Sequence, residues 1–344
     1  MRNSFNTASF SEVVHEIRED AAEGLFRYVG KARHSPLRGL SAEVGPAMFG
    51  SVKSARRYSY SVRTPFLPTP AFGVDEPSPM DLALTGIGSC SLMTLVGGGS
   101  AKGIVFESVE AVLACGGSDD SPVSICFEID GDVTDEQIAE LLQRVQQRSP
   151  NCVTLPASVP VEWDLSRTNA PTARKQQVSH EQPTADQRQS DMRRIRWISG
   201  PQSESFADTP AATTPLRVDN PKQLTGVDWG PNPQEYLMMG YAAEVAAYLG
   251  AFSRDRLGHD VIWDVTARCT EDVSGLLRAD PDAVVHLQDV SCSVSMSPPP
   301  PRDASAVEEL VDQAVSASSV GRLISEPQAV HISSRRSAAA PPTG

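Results

Sequence analysis

Apolar positions along this chain follow a helical period and a strand period, and the same order of segments occurs twice. The run "SPMDLALTGIGSCSLMTLV", residues 78–96, predicts a long buried helix opened by Ser78 as N-cap and Pro79 at the first helical position. The run "NPQEYLMMGYAAEVAAYLG", residues 232–250, predicts a second, opened in the same way by Asn232 and Pro233. At an offset of 154 residues Gly86 falls on Gly240, Cys90 on Glu244 and Cys115 on Cys269. The last pair lies within "VEAVLACGG" and "WDVTARCTE", whose alternation predicts strands.

Further on, "VSICFEIDGD" matches "VSCSVSMSP", again as strands. A second helix then follows in each half. Ile138, Leu141, Leu142 and Val145 make one apolar stripe, and Val307, Leu310, Val311 and Ala314 make the other. Thr134 with Gln137, and Ser305 with Glu308, have capping-box spacing. In this register Cys152 falls on Gly321. Each half thus reads as strands, long helix, strands, second helix and final strand. That is an α+β arrangement with the long central helices packed on antiparallel sheets.

The repeat divides the chain into a lobe at 37–165 and a lobe at 193–333, with the two expected to pack together as an intramolecular pseudo-dimer. Residues 166–192 carry almost no large apolar side chain and read as a flexible linker, and 334–344 as a disordered tail. Residues 1–36 form a helical extension in this reading. Val13, Ile17, Ala21 and Leu25 share one face of a bracing helix.

Composition narrows the function. The chain has 344 residues, 40% hydrophobic and 21% charged, which suits two globular domains. A net charge of −13 argues against a nucleic-acid partner. The start "MRNSFNTASFSEVVHEIRED" lacks a signal-peptide core, and no run of about 18 apolar residues predicts a membrane span, so the expected location is cytoplasmic. The six cysteines form no C-x-x-C pair and no histidines stand at zinc spacing, so neither a metal nor another cofactor is indicated. "GIGSCS" lacks the closing glycine of a hydrolase nucleophile elbow, and no phosphate-binding glycine loop with its lysine appears.

The stretches "SPMDLALTGIGSCSLMTL", "SPNCVTLPASVPVEW" and "GPNPQEYLMMGYAAEVAAYL" resemble the OsmC/Ohr family, osmotically inducible protein C and the organic hydroperoxide resistance proteins. The resemblance implies an intertwined dimer-like fold with one cysteine on the central helix and a second before the final strand. Carried over, these are Cys90 as peroxidatic thiol and Cys152 as resolving thiol. The matched places in the second half hold Glu244 and Gly321, so the chain is similar to a fused dimer that keeps one cysteine pair.

A thiol must become a thiolate to attack an O–O bond. Cys90 lies about three turns beyond Pro79, out of reach of its own helix dipole, and burial raises its pKa. A cation is therefore expected from "KSARRYSYSVRTP", and the resemblance implies an arginine there, Arg56 or Arg57. The hydroperoxide-resistance branch has a glutamate directly after the helix-opening proline. This chain has Met80 there with Asp81 next, and Gln234 with Glu235 next in the second half. Gly97, Gly98 and Gly99 read either as a widened pocket near Cys90 or as the end or kink of the helix. Glu244 reads either as a buried salt bridge at a dead site or as an acid–base group in a second pocket.

The functional expectation is a thiol-dependent, peroxidase-like oxidoreductase. It would take a small-molecule hydroperoxide or sulfur-bearing metabolite and an external thiol or dithiol reductant, with further homo-oligomerisation left open. The alternatives are an enzyme of the same fold turned to other cysteine or acid–base chemistry in specialised metabolism, and a non-catalytic redox sensor or binding protein.

Overall fold

The computed structural model describes residues 3–64, 76–116, 123–166, 174–175, 191–207, 214–257, 260–298 and 305–336. Most of the 166–192 segment and most of the 334–344 tail lie outside the described residues. The chain opens with helix α1 (Thr7–Glu19), strands β1 (Leu25–Ser35), β2 (Gly39–Val44), β3 (Ala47–Phe49), β4 (Val52–Ser54) and β5 (Ser59–Val62), and the long helix α2 (Pro79–Lys102). Strands β6 (Val105–Cys115) and β7 (Val123–Asp132), helices α3 (Asp135–Arg148) and α4 (Pro150–Ala157), and strands β8 (Glu162–Leu165) and β9 (Arg174–Lys175) follow. The second half runs through β10 (Asp191–Ser199), β11 (Gln202–Ala207), β12 (Leu216–Val218), α5 (Pro233–Leu257), β13 (Ile262–Asp272) and α6 (Val273–Leu277). It ends with β14 (Gln288–Ser297), α7 (Ser305–Ala317), α8 (Ser319–Ser325) and β15 (Val330–Arg336).

The architecture is α+β, with two sheets that each take strands from both halves of the chain. One has the order β4-β3-β1-β13-β14-β8-β9, with β2 and β5 joined through β1; the other has the order β12-β11-β10-β6-β7-β15. β1 pairs antiparallel with β13, setting Tyr28 opposite Cys269, and β10 pairs antiparallel with β6, setting Ile195 opposite Ala111. β8 then lies parallel to β14, and β15 parallel to β7. Neither half completes a sheet from its own strands.

The N-terminal segment departs from the expected single helix. α1 stops at Glu19, Asp20 accepts a hydrogen bond from the Ala22 N–H to cap a short 3-10 turn, and β1 begins at Leu25. Phe26 and Tyr28 point inward while Leu25 and Arg27 are exposed. A period of two, fixed by pairing with β13, overrides the helical reading of Leu25.

Ser78 and Asp81 close a reciprocal capping box at the head of α2. α2 is long and apolar enough to cross a membrane, but 89% of its most apolar window is buried within the protein, as suits a core helix. Its buried hydroxyls stay satisfied by donating back one turn, Ser89 to the Thr85 carbonyl and Ser91 to that of Ile87. Against the possibility of a break, the helix runs unbroken through the three glycines and ends at Gly103, whose φ of 86° is left-handed. A Cβ at Gly99 would lie 2.5 Å from the Phe106 ring, and one at Gly98 2.7 Å from Arg144 Cδ. These glycines make room for neighbouring side chains.

α2 and α5 cross backbone to backbone at the matched glycines. A Cβ on Gly86 would sit 2.4 Å from the Pro233 carbonyl oxygen, and one on Gly240 2.6 Å from that of Pro79. This crossing fixes where Cys90, one turn beyond Gly86, stands relative to the second half.

Candidate active site

The site is assembled where α3 gives way to α4. Ser149 ends α3, its N–H donating to the Val145 carbonyl, and Pro150 opens α4 in a new direction. That break turns a hydroxyl and a free N–H towards α2. Ser149 Oγ donates to Cys90 Sγ at 3.3 Å, and the Asn151 N–H donates to the same sulfur. Asn151 Nδ2 donates to the Gly86 carbonyl at 2.9 Å, tying the start of α4 to the turn of α2 that precedes the thiol. The sulfur of Cys152 in turn meets the Ser91 hydroxyl. Each thiol is thus held by a serine that neighbours the other thiol, and Ser91 and Ser149 lie 3.4 Å apart.

Both cysteines are buried and free. Burial pushes the Cys90 thiol up to about 12, and the Glu271 carboxyl and Cys152 push in the same direction. The bonds from Ser149 and Asn151 pull the other way without winning. Burial likewise raises Cys152 to about 11, against the Ser91 bond. The resting pair is a pair of protonated thiols.

The expected cation is directed elsewhere. Arg56 bonds Glu235 Oε1 at 2.7 Å, Asp228 at 3.3 Å and Asn232 Oδ1 at 3.2 Å, and its guanidinium lies 5.5 Å from the Phe49 ring centroid. No arginine is among the groups that shift Cys90. Two carboxylates and a carbonyl outcompete a protonated thiol for a guanidinium. Arg57 is exposed. Asp81 is also drawn away from the thiol: it accepts from the Ser78 N–H, pairs with Arg63 at 3.0 Å and stands 3.6 Å from Arg193. It anchors the head of α2.

Glu244 occupies the matched place in the second half, and its surroundings repeat those of Cys90. Its Oε2 accepts from Ser318 Oγ and from the Val320 N–H, each at 2.7 Å. Ser318 caps α8 as Ser149 opens α4. Burial raises the Glu244 pKa despite these bonds and the pull of Arg322. Of the two readings of Glu244, the salt bridge is not formed among the described residues, and a hydroxyl and a backbone N–H hold the carboxyl instead. The same cradle receives a sulfur in one half and a carboxyl oxygen in the other.

Cys90 opens onto a cavity of about 830 Å³, within the range of small-molecule sites. Phe5, Phe10 and Val14 of the N-terminal segment form one wall, so α1 encloses the cavity as well as bracing the fold. Gly97 and Gly98 form part of another, and a Cβ at Gly97 would meet only Phe5, at 3.9 Å. Arg18, Arg144 and Arg278 also line it. Burial, Arg278 and Arg148 hold the Arg144 pKa below its usual value, so like charges gather on this side. Glu271 lines the cavity too. Among the described residues, no group of three or more His, Cys, Asp or Glu side chains is arranged to hold a metal ion.

The family described as OsmC-like protein matches the chain at residues 72–164. This stretch is an OsmC-like domain. The match runs from α2 through β6, β7, α3 and α4 into β8, and includes Asp81, Cys90 and Cys152. No curated protein matches the chain. The cavity is only partly built by the OsmC-like domain. Phe5, Tyr28 and Arg18 precede it in sequence, and Glu271 and Arg278 follow it.

Four contributors escaped the sequence reading: Ser149, Asn151, Glu271 and the cavity wall from α1. Glu271 did leave a signal. In β13 the inward positions are Trp263, Val265, Ala267, Cys269 and Glu271, so strand alternation alone sets this carboxyl on the buried face. Ser149 and Ser318 fall on one another in the helix register that pairs Cys152 with Gly321.

Proposed function

We propose that this protein is a thiol-dependent reductase of organic hydroperoxides, with Cys90 as the thiol that is oxidised and Cys152 as the thiol that resolves it. The observation that carries the reading is the crossed holding of two buried free thiols, Cys90 by Ser149 and Cys152 by Ser91, with Cys90 lining a cavity. Membership of residues 72–164 in the OsmC-like family, a family of redox proteins, supports it. Cys90 attacks the terminal oxygen of the hydroperoxide, the O–O bond breaks, and an alcohol leaves. The Cys90 sulfenic acid condenses with the Cys152 thiol to a disulfide and water, and an external dithiol reduces it. The apolar wall from Phe5 and Phe10 suits the body of an organic hydroperoxide, and the arginines suit an anionic group on it. The reading places the protein in the cytoplasm, where thiol reductants are at hand.

A second reading has one observation in its favour. With no arginine acting on Cys90 and the thiol raised to about 12, the site also suits covalent cysteine chemistry on another electrophile. Steady-state assay with an alkyl hydroperoxide and a dithiol separates the two. The first reading expects many turnovers, with one dithiol oxidised per hydroperoxide. Oxidation that stops at one equivalent favours a redox switch. No consumption of hydroperoxide at all removes the reductase reading.

A further inference from the structure

Glu271 is the buried titratable group for which the thiol pair alone has no use. It is fully buried, and no donor reaches either carboxyl oxygen in hydrogen-bonding geometry. The Tyr28 hydroxyl lies beside it, and the two residues share the cavity with Cys90. A buried carboxyl with no cation among the groups that shift it costs stability that any apolar residue at this inward position would avoid. β1 fixes it in place, since Glu271 pairs in register with Phe26 and its strand neighbour Cys269 with Tyr28.

We propose that Glu271 is the proton acceptor for Cys90. The proposal rests on the reductase reading for its oxidant, an organic hydroperoxide. The Glu271 carboxylate takes the Cys90 thiol proton as the sulfur attacks the terminal oxygen. As the O–O bond breaks, the same carboxyl returns that proton to the departing alkoxide, which leaves as an alcohol. Cys90 ends as a sulfenic acid and Glu271 as it began. Such a pair removes the need for a resting thiolate, and so for the arginine that Cys90 lacks.

The electrostatics agree with this role. Burial raises Glu271 to about 8, with Tyr28 pulling it down and Asp272 pushing it up. Cys269 from its own strand and Cys90 from α2 also face it, and Arg18, Arg144 and Arg278 stand around the same cavity. The carboxylate that accepts the proton therefore appears as pH rises through about 8, well below the about 12 of the thiol itself.

The test is alkylation of Cys90 by iodoacetamide, a neutral electrophile, followed across pH by mass mapping of the Cys90 peptide in the full chain. The native protein is expected to react with an inflection near pH 8. Glu271→Gln is expected to lose that inflection and to react at pH 8 more slowly by on the order of 10²-fold, the usual scale of general-base assistance. A variant that reacts as fast or faster overturns the proposal, because removing a carboxylate that merely repels the thiolate speeds the reaction. If Glu271→Gln does not fold, the native profile decides alone: an inflection only above about pH 10 contradicts the role. Because iodoacetamide is not a peroxide, this outcome is independent of whether the protein turns over hydroperoxides.

Discussion

Cys90→Ser is expected to lower hydroperoxide turnover by at least on the order of 10³-fold, a loss of about 4 kcal/mol of transition-state stabilisation. A serine hydroxyl is not oxidised by a hydroperoxide, so no sulfenic acid forms and Cys152 has nothing to resolve. The fold is expected to survive, because serine is near in size to cysteine and still accepts from Ser149 and the Asn151 N–H. Glu244→Gln is the matching control. The amide oxygen still accepts from Ser318 and Val320, and the cavity beside Cys90 does not include this residue. Turnover of that variant is expected to stay within about twofold of the native value, as for changes remote from a reacting group. The reverse pattern, with Cys90→Ser active and a folded Glu244→Gln inactive, would move the chemistry to the second half of the chain.

The crossing of the two central helices carries the largest expected effect on stability. Gly86→Leu and Gly240→Leu each drive a side chain into a backbone carbonyl of the opposite helix. Backbone there has no rotamer to move to, so each variant is expected to lose about 3 kcal/mol or more, a large share of a typical domain's stability. Gly97→Ala should do the opposite. Its new methyl meets only Phe5 across the cavity, and alanine favours a helix interior by up to about 1 kcal/mol. Urea midpoints of the three variants check this ordering. Equal losses at Gly86 and Gly97 would mean that the helix, and not the crossing, governs these glycines.

Local signals in the sequence were read well, and long-range ones were not. The proline-led starts of α2 and α5 were legible because capping chemistry lies within four residues, as with Ser78 and Asp81. The stripes on α3 and α7 were legible because each needs one apolar face. The pairing of strands between halves was not, since β1 and β13 are read by the same alternation whichever strand lies beside them. The path of α2 through its glycines depends on Phe106 and Arg144, which fill the space that side chains would occupy. The resemblance implies Arg56 or Arg57 beside Cys90, and neither is among the groups that shift the thiol. The actual partner of Arg56, Glu235, lies across the chain repeat and meets it at 2.7 Å, with Asp228 as a second carboxyl at 3.3 Å.

The central claim is that Cys90 and Cys152 work as one redox pair. It is tested most directly by adding one equivalent of an alkyl hydroperoxide without reductant, blocking the remaining thiols with N-ethylmaleimide and mapping the peptides. The account predicts a Cys90–Cys152 crosslink, four blocked cysteines at 115, 126, 269 and 292, and full return of the two thiols on addition of a dithiol. Cys90 left as a free thiol, or crosslinked to Cys115 or Cys126, would contradict it.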